Sequence, residues 1–273
     1  MGLCLAKPVV QKGKHNMKNI IACNLGSYRD HFTQEEMYSH LGKIGLTNVE
    51  ISTPKPEEIQ RVKNELSEYS LTATTLLANH DVKSDSFVSE FETTLKTAQM
   101  MGVSRIFLSA HSGDVEKNVI YDRLRELGQK AQAMSVTICL ETHPDLANNG
   151  DVALSTMQAI NHPNIGINFD TANVHYHTDR SVDTVEEAKK ILNYVKAVHL
   201  KDTVGGYHNW NFPILGQGLV DFKGIFDLFS SIDFSGPYTM ELEGVEGETL
   251  DRDGILAHVE DSYKYLKDIG VTK

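Results

Sequence analysis

Short apolar runs rich in β-branched residues alternate with amphipathic segments along nearly the whole chain. The runs are typical of strands, and the segments between them repeat apolar residues at helical spacing. Eight runs are predicted as strands: residues 19–24, 48–52, 71–78, 104–110, 136–141, 164–170, 196–200 and 238–243. Strict alternation of strand and helix predicts an α/β protein with a parallel sheet. Eight such units predict closure into a single-domain (β/α)8 TIM barrel over residues 19–273.

Local signals place several of the intervening helices. Thr33 and Glu36 have the spacing of a capping box at the start of the first helix. Pro56 suits the first turn of the second helix, because backbone N–H groups there make no hydrogen bond within the helix. The third helix is predicted to begin near Ser86 and to end at Gly102. Each of these helices falls between two predicted strands, as a barrel requires.

An open doubly wound sheet is the main structural rival, and its cofactor signature is missing. That fold would carry G-x-G-x-x-G directly after the first strand, whereas residues 24–27 read Asn-Leu-Gly-Ser and residues 216–218 read Gly-Gln-Gly without a third glycine. The sequence contains no Walker loop, H-E-x-x-H or G-x-S-x-G motif. Nucleotide-binding, zinc-protease and serine-hydrolase sites of the usual kinds are therefore not predicted.

The composition is that of a globular protein with material for a large core: 273 residues, of which 40% are hydrophobic and 23% charged. Against 26 Lys and Arg stand 37 Asp and Glu, which gives a formal net charge of −11. That sign opposes the electrostatic attraction that binds proteins to nucleic acid or to anionic lipid. We expect neither partner. The sequence leaves open whether the protein forms a homo-oligomer.

Cysteine usage and the chain's beginning bear on location. Cys4, Cys23 and Cys139 have no C-x-x-C spacing, so neither a disulfide framework nor a thiolate zinc site is predicted. This usage fits a reducing, cytoplasmic location. No apolar run approaches the roughly 18 residues of a membrane span. Residues 1–18 are basic and too weakly apolar for a secretory signal, so we interpret them as an N-terminal arm. If translation began at Met17 instead, most of this arm would be missing.

The candidate chemistry lies at the ends of four consecutive predicted strands. Glu141 ends the fifth strand and Asp170 the sixth, and His199 and Glu241 lie near the ends of the last two. Intervals of 29, 29 and 42 residues separate them, about one strand–helix unit each. Carboxyl ends of barrel strands converge at one mouth, so these side chains are expected to meet. Three carboxylates and an imidazole suit one hard divalent cation such as Mn²⁺ or Mg²⁺, with Co²⁺, Fe²⁺ and Zn²⁺ as alternatives.

Other polar residues near the strand ends extend this site. Side chains two residues apart share a face of a strand, so His143 and Lys201, each two residues beyond a metal candidate, are expected to face the substrate as catalytic residues. His80 and His111, at or just past the ends of the third and fourth strands, are candidates for substrate binding.

Three neighbouring polar residues receive structural interpretations instead. Asp202 is interpreted as a helix cap or a solvated charge, and His175 and His177 as surface residues of a loop. The loop of residues 203–220 carries several glycines and the single tryptophan, Trp210. Such a loop is typical of a lid over a small polar ligand. Alternatively, Trp210 only anchors a long loop to the barrel.

The motifs at these strand ends resemble a known family. They read Leu-Glu141-Thr-His143-Pro, Asn168-Phe-Asp170, His199-Leu-Lys201-Asp202, Leu215-Gly-Gln-Gly218 and Glu241. The series resembles the xylose isomerase-like TIM-barrel superfamily, in particular its sugar phosphate isomerase/epimerase branch. This resemblance implies that four side chains bind one divalent metal ion, commonly Mn²⁺: Glu141, Asp170, His199 and Glu241. It also implies that the two glutamates move the substrate proton.

Two departures from that family concern the substrate. Asn173 stands where ketose 3-epimerases typically carry a histidine, so Asn173 is the substrate-binding candidate at that position. Trp210 and Phe212 stand where the apurinic-site endonucleases carry an Asp-x-His that holds further zinc ions. A trinuclear DNA-repair site is therefore not expected, in agreement with the acidic net charge. Trp210 joins the substrate-binding candidates.

The motif Glu141-Thr-His143-Pro, together with His199-Leu-Lys201, also resembles the 3-dehydroshikimate dehydratases. In that branch the histidine after the first metal ligand performs acid–base chemistry, a role that would fall to His143. Phe107 stands where an arginine should recognise the substrate carboxylate. This departure weighs against the dehydratase.

The favoured function is a divalent-metal-dependent isomerase or epimerase of a small sugar or keto-sugar. The cation would act as a Lewis acid and stabilise an enediolate, while Glu141 and Glu241 take and return the proton. Lys201 would hold the developing oxyanion. A metal-dependent lyase that expels a β-hydroxyl from a sugar or keto acid is the first alternative. A noncatalytic sugar- or metal-binding protein is the second.

Overall fold

Eight parallel strands close into a barrel in the computed structural model, which describes residues 19–272. Each strand pairs with the next along the chain, and the last pairs with the first. The barrel strands are β1 (Ile20–Asn24), β2 (Asn48–Ser52), β3 (Thr72–Ala78), β4 (Arg105–Leu108), β5 (Thr137–Glu141), β6 (Ile165–Asp170), β7 (Val195–Leu200) and β9 (Pro237–Met240). A separate antiparallel pair joins β8 (Asn211–Phe212) to β10 (Gly244–Val245). The predicted barrel is confirmed; the predicted arm, residues 1–18, lies outside the described residues.

Helices cover the outside of the barrel between successive strands. They are α1 (Gln34–Ile44), α2 (Ile59–Glu68), α3 (Phe87–Met101), α4 (Lys117–Ala133), α5 (Gly150–Ile160), α6 (Asn173–Tyr176), α7 (Thr184–Lys190), α8 (Phe222–Ser230) and α9 (Arg252–Asp268). Within residues 19–272, none of the helices combines the length and apolar character needed to cross a membrane.

The helix signals in the sequence are confirmed. The Thr33 hydroxyl accepts a hydrogen bond from the Glu36 N–H at 3.3 Å, and the Glu36 carboxylate accepts one from the Thr33 N–H at 2.8 Å. Ser86 precedes α3, and Gly102 ends that helix in the left-handed conformation that glycine adopts at low cost. Pro56 begins a short 3₁₀ turn directly before α2.

Strand boundaries differ from the sequence prediction at two ends that matter for the site. The fourth predicted strand was 104–110, whereas β4 stops at Leu108. The eighth was 238–243, whereas β9 stops at Met240, so Glu241 and Glu243 follow the strand. Glu241 nevertheless keeps the alignment of the sheet, because its N–H donates to the Leu200 carbonyl at 3.1 Å.

Alternation along β5 to β7 separates a polar barrel interior from an apolar exterior. Neighbouring strands align Glu141 with Asn168 and Asp170 with His199, so these side chains enter the barrel at matching levels. Small residues lie two positions below them: Cys139, Gly166 and Ala197. The outward-facing side chains of the same strands are buried under the helices: Ile138, Leu140, Ile167, Phe169, Val198 and Leu200.

Asp202 fastens the loop that follows β7. Its carboxylate is buried and accepts four backbone hydrogen bonds, from the N–H groups of Thr203, Gly216 and Gly218 at 2.8 Å and of Val220 at 3.2 Å. The expectation that Asp202 caps a helix or stays solvated is therefore wrong. A Cβ at Gly218 would lie 2.2 Å from the Asp202 carboxylate, which explains the glycine there.

Asp202→Ala is expected to lower the free energy of unfolding by about 3 kcal/mol, because several buried N–H groups lose their acceptor. Asp221→Ala is the matched control. Asp221 caps α8 from an exposed position, and its loss should cost about 1 kcal/mol. Urea denaturation of both variants checks the difference. Equal losses would contradict an anchoring role for Asp202.

Candidate metal centre

Four side chains converge at the carboxyl ends of the barrel strands. Glu141 ends β5, Asp170 ends β6, His199 lies one residue before the end of β7, and Glu241 directly follows β9. One donor atom from each lies within 4.8 Å of all the others. Donors on opposite sides of an ion at about 2.4 Å would be separated by about this distance. The predicted ligand set therefore forms one cluster that could hold a single divalent ion.

His199 presents a free ring nitrogen to the carboxylates. Its Nδ1 lies 3.2 Å from Glu241 Oε2 and 3.7 Å from Glu141 Oε1. This atom is buried and has no hydrogen-bond partner among residues 19–272. Among protein atoms alone, a buried nitrogen that has no partner and faces several carboxylate oxygens is the arrangement expected of a metal ligand.

Glu50 on β2 determines which nitrogen of His199 is free. Glu50 is fully buried, and its Oε1 accepts from His199 Nε2 at 2.9 Å. Asn24, the last residue of β1, donates to the same Glu50 oxygen at 3.0 Å and to Glu241 Oε1 at 3.4 Å. With Nε2–H held by Glu50, Nδ1 is the atom left to bind a cation.

Sequence reasoning missed both Glu50 and Asn24. One signal for Glu50 is present in the sequence: it stands between two apolar residues of a predicted strand, in Val49-Glu50-Ile51. A carboxylate in a buried strand normally has a partner. That pattern does not identify the partner, which lies 149 residues away along the chain.

The cluster carries an excess of negative charge, buried at three of its carboxylates and partly exposed at Glu241 and Glu243. Five carboxylates lie around one imidazole and one ammonium, those of His199 and Lys201: Glu50, Glu141, Asp170, Glu241 and Glu243. Buried charges are costly unless they are paired. A divalent cation among the carboxylates would supply the missing positive charge.

Lys201 balances part of this charge. Its buried Nζ lies 2.7 Å from Glu241 Oε2, 2.7 Å from Glu243 Oε2 and 3.1 Å from Asp170 Oδ2. Burial alone would lower the pKa of Lys201, but these carboxylates outweigh it and raise the pKa well above its ordinary value. The side chain therefore remains an ammonium and faces the cluster, as the sequence predicts.

The two glutamates of the cluster have different electrostatic surroundings. Burial raises the pKa of Glu141 to about 7, although the neighbouring His199 opposes the rise. Burial acts in the same direction on Glu241, but Lys201 and His199 outweigh it and hold the pKa of Glu241 well below its ordinary value. The barrel thus provides two chemically different carboxyl groups, of which Glu241 lies beside the Lys201 ammonium.

His143 and Asn173 border the cluster. The Asn173 amide donates to Glu141 Oε1 at 3.3 Å, its carbonyl accepts from Lys201 Nζ at 3.3 Å, and its Nδ2 lies 3.4 Å from His143 Nε2. His143 Nδ1 lies 2.8 Å from Ser109 Oγ. Burial lowers the pKa of His143 to about 3, so its imidazole is neutral near pH 7.

A short helix, α6, follows β6 at the barrel mouth. It contains His175, and His177 comes directly after it. His177 stands edge-on to His143 with ring centroids 4.9 Å apart. His175 is buried, and its Nε2 lies 2.8 Å from the Thr184 hydroxyl. The expectation that both are surface residues of a loop is wrong, because a short helix replaces that loop.

Two cavities lie at the barrel mouth. The smaller, about 100 Å³, lies against the cluster and is lined by Phe107, Glu141, His143, Asn173, Tyr176, His177, Lys201, Trp210, Glu241 and Glu243. The larger, about 670 Å³, begins at Asn24, Phe107 and Glu241 and extends outward over α3. Of the predicted substrate-binding residues, Asn173 and Trp210 line the smaller cavity.

The other two predicted substrate-binding residues, His80 and His111, do not line the smaller cavity. His80 lines the larger cavity, with Nε2 2.9 Å from the Thr94 hydroxyl. His111 is exposed and lies behind His143, with the two ring centroids 5.4 Å apart. It lines neither of these two cavities. His111 lies three residues beyond the end of β4 at Leu108.

Residues 203–220 cover the smaller cavity as a fastened loop. Phe212 is buried, and its ring centroid lies 5.2 Å from Lys201 Nζ. Trp210 stands edge-on to Tyr176 at 5.8 Å, and its carbonyl accepts from the Glu246 N–H at 2.9 Å. Asp202 holds both ends of this loop and the β8–β10 pairing holds its middle, which favours the anchoring interpretation of Trp210 over a hinged lid.

Phe107 forms the wall between the two cavities. Its ring stacks on His199 with centroids 5.2 Å apart and planes 11° apart. Phe107, at which the sequence comparison expects an arginine in the dehydratases, thus packs against the candidate metal ligand His199. The nearby Arg105 donates to the Lys196 carbonyl at 2.8 Å instead, two residues earlier in β4.

Comparisons with known proteins agree with this architecture. Residues 40–268 match the family described as xylose isomerase-like TIM barrel. A ketose 3-epimerase of Arthrobacter globiformis is 22% identical over 81% of this chain and 82% of its own length. An inosose dehydratase of Histophilus somni is 21% identical over 77% of this chain and 83% of its own. D-psicose 3-epimerase of Clostridium cellulolyticum, solved with D-tagatose, has a similar fold, with a TM-score of 0.73 and 15% identity over 94% of this chain and all of its own.

Glu50→Gln is expected to weaken Mn²⁺ binding by roughly 10- to 100-fold, because the neutral amide holds the His199 N–H less strongly and removes one negative charge. Glu187→Gln is the matched control. Glu187 is also buried, but it accepts from the Gly150 N–H beside α5, away from the barrel mouth. Calorimetric titration of the purified variants with Mn²⁺ provides the measurement. Equal affinity of Glu50→Gln and wild type would rule out this positioning role.

Proposed function

This chain belongs to the xylose isomerase-like TIM barrel family, and on that basis we propose that it is a divalent-metal-dependent epimerase or isomerase of a small sugar or keto-sugar. One observation carries the proposal. Glu141 and Glu241 reach the same cluster from β5 and from the end of β9, two strands separated by β6 and β7. A substrate placed between them would have a carboxyl group on each side, as proton transfer between two faces of a carbon requires.

The residues of the cluster can divide the reaction among them. When bound, a divalent cation supplies Lewis-acid polarisation of a substrate carbonyl. Glu241 would take the proton from the adjacent carbon, and Glu141 would return a proton from the other side. Lys201, already an ammonium, would donate to the oxygen on which negative charge develops. His143 and Asn173 would hold the substrate hydroxyls, and Phe212 and Trp210 would exclude water from the smaller cavity.

The cation we propose is Mn²⁺. Three carboxylates and one imidazole form a harder donor set than the thiolate-rich sites of structural zinc. Mg²⁺, Co²⁺, Fe²⁺ and Zn²⁺ remain chemically compatible with the same donors. We further propose that the protein works in the cytoplasm, which the buried free thiols of Cys23 and Cys139 support. Its partners would be small sugars or keto acids and not nucleic acid, because its net charge is −11.

A metal-dependent lyase is the second candidate, and the position of His143 favours it. This imidazole lies in the cavity beside Glu141, where it could reach a leaving hydroxyl. The similar proteins include an inosose dehydratase. Phe107, where the 3-dehydroshikimate dehydratases are expected to carry a substrate-binding arginine, weighs against that particular lyase. His143 is thus the residue that distinguishes the two reactions.

Glu241→Gln should reduce solvent-deuterium incorporation into a turned-over keto-sugar by at least about 100-fold, because the amide cannot accept the proton. The exposed neighbour Glu246→Gln makes the same charge change and should match wild type. Mass spectrometry of sugars incubated in D₂O with Mn²⁺ gives the rate, and the metal content of each variant is measured in parallel. Failure of the wild-type protein to exchange any keto-sugar would favour a noncatalytic binding protein.

His143→Ala is expected to raise KM more than it lowers kcat, because in an epimerase this residue holds substrate hydroxyls. His143→Gln keeps hydrogen-bonding groups near Ser109 and should recover part of the lost affinity. Steady-state kinetics of the two variants checks both statements. Complete loss of kcat in both variants, with metal content intact, would support the lyase.

A further inference from the structure

The larger cavity adjoins the candidate metal centre. Phe107 and Glu241 line both cavities, so the two spaces meet at these side chains. Asn24 lines the larger cavity and donates to Glu241 at 3.4 Å. From this junction the cavity runs outward between the β2–α2 loop, the end of β3 and one face of α3. A ligand held at the cluster would reach the larger cavity by passing these two side chains.

The sizes of the two cavities suggest different contents. Ligand pockets usually measure roughly 300–1,000 Å³. The smaller cavity, about 100 Å³, can hold only the few atoms that react. The larger, about 670 Å³, lies within the usual range and is more than the rest of one small sugar would fill.

The lining of the larger cavity suits a neutral ligand rich in hydroxyl groups. Its polar side chains are mainly hydroxyls and amides: Asn24, Ser52, Thr53, Asn79, Thr93, Thr94, Thr97 and Ser109. Apolar surface alternates with them, from Pro54, Pro56, Leu77 and Phe107. Hydroxyl partners beside apolar surface match a sugar ring, which presents O–H groups at its edge and C–H groups on its faces.

The charges around this cavity disfavour a phosphate. Lys55, an exposed side chain, is the one lysine or arginine among the described residues that line it. Phosphate groups are normally held by arginine, lysine or a helix N-terminus. The helical turns nearest the cavity carry acidic side chains in their first turns, Glu57 and Glu58 after Pro56 and Glu90 in α3. Lys201 lines the smaller cavity and is not among the residues that line the larger one.

We propose that the larger cavity binds a second, unphosphorylated sugar unit, so that the substrate is a keto-sugar carrying a glycosyl group rather than a free monosaccharide or a sugar phosphate. This inference rests on the proposed function for the reacting end of the substrate. The keto group and its neighbouring carbon would occupy the smaller cavity, and the glycosyl group would extend past Phe107 over α3.

Three probes share one ketose end and differ only at the far end: D-fructose, D-fructose 6-phosphate, and isomaltulose, in which a glucosyl group occupies the same O6. Calorimetry on the Mn²⁺-loaded protein should give at least about tenfold tighter binding for isomaltulose than for D-fructose, with D-fructose 6-phosphate the weakest. Isomaltulose binding no tighter than D-fructose, undetectable binding included, would overturn the proposal. Tightest binding of the phosphate would do the same.

A cavity-filling variant tests the location. Thr93 is exposed on the face of α3 that lines the cavity, so Thr93→Trp should lower the ratio of isomaltulose to D-fructose affinity at least about fivefold. Gln99→Trp places the same side chain at an exposed position of α3 outside the cavity lining and should keep the wild-type ratio. An unchanged ratio in Thr93→Trp would overturn the location. Solvent-deuterium exchange is measured separately, so a protein that binds isomaltulose without exchange contradicts the proposed enzyme and leaves the glycosyl site supported.

Discussion

The buried carboxylates at the mouth of the barrel impose the main constraint on this protein. Glu141, Asp170 and Glu241 cannot all be ionised so close together at the barrel mouth unless positive charge offsets their repulsion. Lys201 supplies one such charge. At His199 burial alone would lower the pKa, but the neighbouring carboxylates outweigh it and raise the pKa well above its ordinary value, which favours a proton, and so a second positive charge, on the imidazole. A divalent cation would displace that proton from His199 Nδ1, so metal affinity and pH are linked at this site.

A shell of hydrogen bonds gives this charged cluster a fixed geometry. Glu50 orients His199 from β2, and Asn24 joins Glu50 to Glu241 across β1. On the other side, Asn173 joins Glu141 to Lys201. Strands from both halves of the barrel thus contribute to one polar network. A barrel suits such a network because each strand needs to supply only one or two inward side chains at its carboxyl end.

The surroundings of the cluster divide the barrel mouth into two unlike compartments. Toward β5 to β7, α6 and the fastened loop of residues 203–220 leave a small, enclosed space beside the ammonium of Lys201. Toward β2 to β4, the shorter loops leave an open, hydroxyl-lined cavity. Phe107 and Glu241 stand at the boundary. Chemistry and recognition can therefore be served by different strands, and substitutions in one compartment need not disturb the other.

The sequence by itself determined the barrel and the four converging strand ends. Strand alternation, the capping box at Thr33 and the glycine end at Gly102 are local signals, so they can be read without knowing the fold. Contacts across the closed barrel carry no such signal. The pairing of Glu50 with His199 and the burial of Asp202 under Gly216 depend on which strands and loops become neighbours. Only the tertiary structure decided these, because hydrogen-bond partners far apart in the chain meet only after the barrel closes.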